Sequence, residues 1–405
     1  MKCLITKSEN MEKIIDLGMQ PYADTFIDSG STNNSEVVYP LECYLCLDSG
    51  HVQLGHLTDA NERYNLYDYS YTSANSDFSR QHWINFAKEV SSELKLSPNT
   101  KIVEVGSNDG FLSSQFQKLG HKVIGVDPSH YMVRIAELNG VKTLPEIFTS
   151  ESSNDIKNLT EEVDLVCANN VLNHSNDPLD FVRGVNNILG PDGVFVFEVP
   201  YWMNTINSGK FDQIYHEHVS YFTVKSCNEL LKKTGFEIFN IEVVDYHGGS
   251  LRVYAKKMPN VWDMQKQNDI VREMIEKEVE AGLFKLEIYE NYMLDIINKR
   301  NKFLNKIYEI KSQGKHIIGV GAAAKGNTFL NFYGIDKNVL DYVTDSSPHK
   351  QGKYTPITRI PIAPDEIFSE YDEVFAVILS WNISASLKNK LTSINNKVQY
   401  LTLVE

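Results

Sequence analysis

The 405-residue sequence predicts an α/β chain built on two doubly wound, parallel sheets with a small β block ahead of them. Three observations predict it. From residue 101 short apolar runs alternate with helical repeats, the pattern of strands joined by crossover helices. A second alternation begins at residue 315, after a long charged helical stretch. The first 75 residues carry no helical repeat and are rich in turn residues. A chain of this length also exceeds what one core supports, so two or three domains are expected.

The elements follow in order, with boundaries expected at 1–75, 76–257 and 258–405. In the first block YPLECYLCLDSGHVQL alternates like a hairpin, with its turn expected near Cys43 to Cys46. So small a block needs a metal or a neighbour to be stable. In the second, KIVEVG (101–106) reads as a strand and 110–119 as a helix closed by Gly120. KVIGVD (122–127) is the next strand, then helix 129–139 with Ser129 as N-cap and Gly140 as its stop. VDLVCA (163–168) precedes helix 177–189, which opens on Asp177 and Pro178 and ends at Gly190-Pro191. VFVFEV (194–199) and strands near 236–245 and 250–257 complete the unit. The third block predicts helix over 262–312, then strands KHIIGV (315–320), LDYVTD (340–345), VFAVIL (374–379) and VQYLTL (398–403).

Composition narrows the function. A net charge of -14 with no basic stripe argues against a nucleic-acid partner. It does not forbid a small anion held by a few backbone N–H groups and one or two cations. No apolar run approaches the ~18–20 residues of a membrane span. The start MKCLITKSEN lacks the apolar region of a secretory leader, so a soluble, cytoplasmic protein is expected. Five cysteines, an odd number, fit a reducing compartment better than a disulfide framework.

The first strand-to-helix turn, VEVGSNDG, carries Glu104, Gly106, Ser107, Asn108, Asp109 and Gly110. Gly106 lets the backbone approach a ligand, but a dinucleotide fingerprint would not place a carboxylate where a pyrophosphate sits. Acidic residues suit a cationic ligand instead, and Asp127, ending the second strand beside Pro128, is placed for a ribose diol. Together these resemble the motifs of class I S-adenosylmethionine (SAM) methyltransferases. That resemblance implies Asn169 and its neighbour Asn170 beside the cofactor and Phe148 over its adenine. An unligated α/β turn is the plain alternative.

Three further segments carry chemistry. FDQIYHEHVSYFT (211–223) packs Tyr215, His216, Glu217 and His218 into four positions; it suits a base with an orienting carboxylate, an H-x-H metal pair, or a solvated edge. YHGGSLR places a Gly-Gly step between His247 and Arg252, suiting either an oxygen-rich ligand or a tight hairpin. IIGVGAAAKGNTFLNFYG is a strand, a Gly-rich turn with Ala323, Lys325 and Asn327, and a helix start, which makes an anion site. Downstream, Asp345, His349, Lys350 and Lys353 are available to close on the same ligand.

DLGMQPYADTF, YPLECYLC, VEVGSNDG, FDQIYHEHVSYF, YHGGSLR, GAAAKGNT and SPHKQGKYTP occur in this order along nearly the whole chain. So arranged, the sequence resembles the three-domain C-methyltransferase family acting on nucleotide-linked keto-deoxysugars. The resemblance implies an N-terminal zinc-binding domain, a central SAM domain and a C-terminal domain that holds the nucleotide-diphosphate sugar. It implies His218 as general base with Glu217 and Tyr215 beside it. Tyr71 would be contributed from the N-terminal side, and His174 would lie near the sugar. It also implies the chemistry: a base makes an enolate next to a ketone, and that carbon takes the methyl group. His247, Arg252, Ala323, Lys325, Asn327, Asp345 and Lys350 are the substrate-binding expectations.

One departure stands out. The family's zinc site uses two C-x-x-C pairs; here Cys43-x-x-Cys46 is kept and the first pair reads Cys3-Leu-Ile-Thr6. Cys3, Cys43 and Cys46 with His51 or His56 would still make a tetrahedral zinc site, and a metal-free hairpin packed on its neighbour is the alternative. Two other functions compete: an O- or N-methyltransferase on a similar substrate, and a nucleotide-sugar binding protein without catalysis. The sequence names neither nucleotide nor carbon, and a monomer or a small homo-oligomer fits equally.

Overall fold

The computed structural model describes residues 1–63, 72–74, 76–258 and 269–401. The N-terminal hairpin pairs β1 (Met11–Gln20) with β2 (Tyr39–Cys46) antiparallel, and β2 with β3 (Val52–Leu54). The turn lies at residues 47–51, so the expected turn near Cys43–Cys46 is corrected: both cysteines are inside β2. Side chains alternate across a strand, so positions three apart face opposite ways. Cys43 accordingly joins Leu41 and Leu45 in one apolar core, while Cys46 joins Cys3 and Ile5 in another.

The central unit runs α1 (Asp77–Glu93), β4 (Lys101–Val105), α2 (Phe111–Lys118), β5 (Lys122–Val126), α3 (His130–Leu138) and β6 (Thr143–Leu144). It continues α4 (Ser153–Thr160), β7 (Val163–Asn169), α5 (Pro178–Ile188), β8 (Leu189–Pro200) and α6 (Trp202–Asn207). β9 (Ser220–Tyr221), α7 (Val224–Lys233), β10 (Phe236–Val244) and β11 (Ser250–Lys257) follow. Local chemistry sets several ends. The Ser129 hydroxyl accepts the Met132 N–H at 3.3 Å, and the Asp177 carboxylate accepts the Asp180 N–H at 3.1 Å ahead of Pro178. Gly190 and Pro191 fall within β8 rather than between helix and strand.

The seven strands lie in the order β10-β11-β8-β7-β4-β5-β6. The sheet is not parallel throughout: β11 runs antiparallel to both β8 and β10. Five residues join β10 to β11, too few for a parallel crossover. Alternate residues feed the two faces. Val103, Val166, Phe195 and Phe197 pack with Val182 and Ile188 of α5, whereas Ile102, Leu165 and Val196 pack with Phe86 of α1 and Phe116 of α2.

The helical stretch expected over 262–312 is divided where Gly282 takes φ 74°, into α8 (Asp269–Glu280) and α9 (Leu286–Ser312). α9 buries Tyr289, Tyr292, Ile296, Phe303, Ile307 and Ile310, a stripe of three- and four-residue steps. The remaining elements are β12 (His316–Val320), α10 (Ala324–Tyr333), β13 (Tyr342–Thr344), β14 (Ile362–Ala363), β15 (Val374–Ile378), α11 (Ser384–Ile394) and β16 (Val398–Leu401). Their five strands form a parallel sheet, β14-β13-β12-β15-β16.

β9 belongs to neither large sheet. It pairs with β3, Val52 opposite Tyr221 and Gln53 opposite Ser220, so the strand just after His218 completes the N-terminal sheet. Leu41, Cys43, Val52, Trp202, Ile214, Tyr221, Tyr292, Phe329 and Leu379 share one core, which joins all three parts of the chain around the 211–223 segment.

Candidate active site

The turn after β4 has the features of a cofactor cradle. Gly106 and Gly110 take φ 70° and 74°. A Cβ at Gly106 would meet Val171 Cγ2 at 2.0 Å, so glycine is required there for space as well as conformation. The Gly106 and Ser107 N–H groups donate to the Val126 carbonyl at 2.7 and 3.1 Å, tying the turn to β5. Asp127 accepts the Asn108 and Ser129 N–H groups, both at 2.9 Å, and burial lifts its carboxyl to about 6. Glu104 accepts the Ser113 hydroxyl, and burial lifts it to about 8. Pro128 is half-buried between Asp127 and the α3 cap.

Across the sheet, the Asn169 Oδ1 accepts the Glu198 N–H at 3.0 Å and the Asn170 N–H donates to the Glu198 carbonyl at 2.7 Å. Buried polar atoms here have no protein partner: Ser107 Oγ, Asn169 Nδ2 and both side-chain ends of Asn170. A buried polar group without a partner is costly, so these atoms fit a polar ligand lying along the strand ends. With the glycine cradle, they fit SAM. Phe148 packs edge-on to Phe181 at 5.1 Å and against the Gly184 backbone, on the core side. Asp109 ties the turn to residues 73–74 and to the start of α2: it accepts the Ser73 hydroxyl at 2.6 Å and the Ala74 and Phe111 N–H groups at 3.2 Å, while Asn108 Oδ1 accepts the Ser73 N–H at 2.9 Å. That strap leads into Tyr71, which lies outside the described residues.

The 211–223 segment folds over the same end of the sheet. His218 Nδ1–H donates to the Gln213 carbonyl at 2.8 Å, which leaves Nε2 as the lone-pair nitrogen, 2.7 Å from the Tyr215 hydroxyl. Burial holds His218 down at about 3, so it stays neutral. The His174 ring lies 5.1 Å from it, tilted by 43°, and burial keeps that ring neutral too. Burial lifts the Glu217 carboxyl to about 7, with Asp24 adding repulsion and the Asp24 N–H a hydrogen bond. His216 points elsewhere, its Nε2–H toward the Pro40 carbonyl at 3.3 Å among Tyr22 and Tyr39, so an H-x-H metal pair is ruled out.

Sequence reasoning missed Arg63. Its guanidinium donates to the His216 carbonyl and the His174 carbonyl, both at 3.2 Å, and to Asn176 Oδ1 at 2.8 Å. One side chain thereby bolts the two histidine loops together. No motif flags it, because its partners, two backbone carbonyls and one amide oxygen, are more than a hundred residues away.

The C-terminal domain delivers a cation to this site. Lys325, in the first turn of α10, is buried with Nζ 3.5 Å from His247 Nδ1 and 5.0 Å over the Trp381 ring. Burial lowers it to about 8 against the pull of Asp212, whose carboxylate accepts the Trp381 indole N–H. Ala323 is the N-cap residue of that helix. Lys350 Nζ donates to the Ala322 carbonyl at 2.7 Å and lies 3.6 Å from Asp24, while Asp345 Oδ1 accepts the Ser347 N–H at 2.8 Å.

Other expectations are corrected. Arg252 is not a ligand contact: it is buried in the central sheet, with Nε and Nη1 each 2.7 Å from Glu198 and Glu89. Asn327 spends its amide N–H on the Ala23 carbonyl at 2.6 Å, fastening the N-terminal block to α10. His349 and Lys353 are partnered by Tyr131 and Asp28. Cys43 is separated from Cys3 and Cys46, His51 bonds Ser220 at 3.2 Å and His56 stacks on Tyr39, so the expected zinc set is not assembled.

The chain is similar in sequence to known methyltransferases along its length. Residues 3–64 match the family model "Putative zinc binding domain", 80–241 "Methyltransferase domain" and 245–404 "C-methyltransferase C-terminal domain". C-methyltransferase NovU of Streptomyces niveus is 27% identical over 400 residues, 99% of this chain and 93% of its own length. A ubiquinone biosynthesis O-methyltransferase of a Methylobacterium is 30% identical over only 95 residues, 23% of this chain and 38% of its own. The SAM-bound crystal structure of magnesium protoporphyrin IX methyltransferase from Synechocystis covers 44% of this chain and 79% of that one, at 15% identity and TM-score 0.34. The fold is that of a class I SAM methyltransferase flanked by a zinc-binding-type β domain and a second Rossmann-like unit. With matches to the three domain models in this order and a C-methyltransferase aligned along nearly its whole length, the chain is a SAM-dependent methyltransferase similar to the three-domain C-methyltransferases.

Proposed function

We propose that the protein methylates a carbon of a nucleotide-linked keto-deoxysugar, C-3 of an NDP-4-keto-6-deoxy sugar, with His218 as the general base. The observation that carries this is the neutral Nε2 of His218, its tautomer set by the Gln213 carbonyl, beside the Tyr215 hydroxyl at the mouth of the cofactor sheet. Glu104, Gly106, Ser107, Asn108, Gly110, Asp127, Asn169 and Asn170 would hold SAM, which when bound supplies an electrophilic sulfonium methyl. Carbon needs activation to accept it. His218 Nε2 takes the proton α to the ketone, and the electron pair left behind moves into the enolate. The Tyr215 hydroxyl donates to the enolate oxygen, and Glu217, in its protonated form, adds a second donor. Enolate charge beside the ring favours the imidazolium, so the buried base strengthens as the proton leaves. Lys325 and the first N–H groups of α10 suit the diphosphate.

The test is α-proton exchange in heavy water with a keto-sugar nucleotide and S-adenosylhomocysteine. The wild type exchanges the proton, and His218→Asn loses about 10²–10⁴-fold, the usual worth of a general base. Exchange at the wild-type rate in H218N would reject the assignment. Transfer to oxygen or nitrogen without exchange would point to the O- or N-methyl chemistry instead.

A further inference from the structure

The N-terminal domain matches a zinc-binding model, yet its residues do not supply a zinc site. Two chain turns face each other where a zinc ribbon would hold metal. The first runs from Cys3 to Thr6 and the second from Cys46 to Ser49, so the second turn starts at Cys46 rather than ending there. At these four positions stand two thiols and two hydroxyls. Structural zinc is held by thiolates, imidazoles and carboxylates, and a neutral hydroxyl is no substitute. The nearest replacements are committed elsewhere. His51 bonds Ser220, and Asp48 faces outward to Ser8 and Asn10. Among the described residues, no three His, Cys, Asp or Glu side chains gather in metal-binding geometry.

The turns are joined all the same. The Thr6 N–H donates to Cys3 Sγ at 3.4 Å, Thr6 Oγ1 lies 3.6 Å from Cys46 Sγ, and Cys3 Sγ lies 3.5 Å from Ser49 Oγ. With the Cys46–Ser49 turn itself, these contacts close a largely buried ring across both turns. Outside it, the Asp48 carboxylate accepts the Ser8 hydroxyl and, at 2.9 Å, the Asn10 amide. Gln53 holds the chain start, accepting the Leu4 N–H at 2.7 Å and donating to the Lys2 carbonyl at 3.2 Å. Cys43, which a metal reading would claim, lies in the core shared with α9 and α10.

We propose that in this protein the zinc site is replaced by a metal-free clasp, in which the Cys3–Thr6–Cys46–Ser49 ring and the Asp48 bridge do the cross-linking that zinc does elsewhere. The clasp bears on the active site. It holds the start of β3, whose Leu54 N–H donates to the Val219 carbonyl at 2.9 Å and whose neighbour His51 bonds Ser220. Those two residues directly follow His218.

The full-length protein should therefore leave gel filtration without stoichiometric zinc even after incubation with it. Co²⁺ should produce no thiolate-to-metal absorption band, and a strong chelator should leave the melting midpoint unmoved. Thr6→Cys with Ser49→Cys should acquire one zinc equivalent, the Co²⁺ tetrathiolate band and chelator sensitivity. Asp48→Ala should lower the midpoint by a few degrees, and added zinc should not restore it. One retained zinc equivalent or a Co²⁺–thiolate band in the wild type overturns the proposal, whether or not the double variant folds. An unchanged midpoint in D48A removes the bridge from it.

Discussion

At the residue scale, the site depends on positions where only one side chain, or none, can stand. Gly106 is the sharpest case: positive φ and the Val171 methyl 2.0 Å from a would-be Cβ both exclude a larger residue. Gly106→Ala is expected to abolish SAM binding measured by calorimetry, and Val171→Ala in the same chain should recover part of it by opening the space. His218 illustrates a different dependence. Its place in a titratable cluster was legible in the sequence, but its tautomer was not, because the Gln213 carbonyl reaches it only through the fold of residues 213–218. Arg252 shows the same limit in reverse. A Gly-Gly step beside an arginine reads as a ligand site, whereas the pairing of β11 with β8 sets Arg252 opposite Glu198, where two buried charges neutralise each other.

At the element scale, the two histidine loops are set by contacts across the chain rather than by their own sequences. The loop after β7 carries His174 and the loop after α6 carries His216 and His218; Arg63 donates to carbonyls in both. Arg63→Ala should lower kcat by roughly 10- to 100-fold through misplacement of reacting groups while leaving SAM affinity unchanged. Arg63→Lys should rescue little of it, since a point charge cannot replace a planar fork that reaches three acceptors. The ends of α3 and α5 were legible because a cap is a matter of four neighbouring residues, as at Ser129 and Asp177-Pro178. β9 was not, because two residues form a strand only when β3 is there to pair with them.

At the scale of the whole molecule, burial decides the pH response. Glu104 is an ordinary carboxyl when unfolded, at 4.5, and is lifted to about 8 by burial in the folded chain. Between these values the unfolded chain has lost the proton and the folded chain keeps it, so unfolding releases a proton and stability falls as pH rises. In the SAM-free protein the melting midpoint should therefore decline from about pH 5 to about pH 8, and Glu104→Gln should flatten part of that decline, read by calorimetric melts across the range. A slope unchanged in E104Q would assign it to other buried acids, of which Asp127 is the nearest candidate, lifted to about 6.

The sequence by itself determined the alternation of strands and helices, the cofactor turn, the Tyr215–His218 cluster and the family they resemble. Each of these is carried by neighbouring residues, through hydrophobic period, caps and glycine. Only the tertiary structure decided which cysteines face each other, that β11 runs backwards, that Arg252 is internal and that Arg63 joins two loops. Those outcomes depend on which strand lies beside which and on the face a side chain takes there, and strand pairing brings together residues that the chain keeps far apart. Cys43 and Cys46 make the point most simply: three residues apart they read as a metal pair, and in a strand that same spacing turns them to opposite sides.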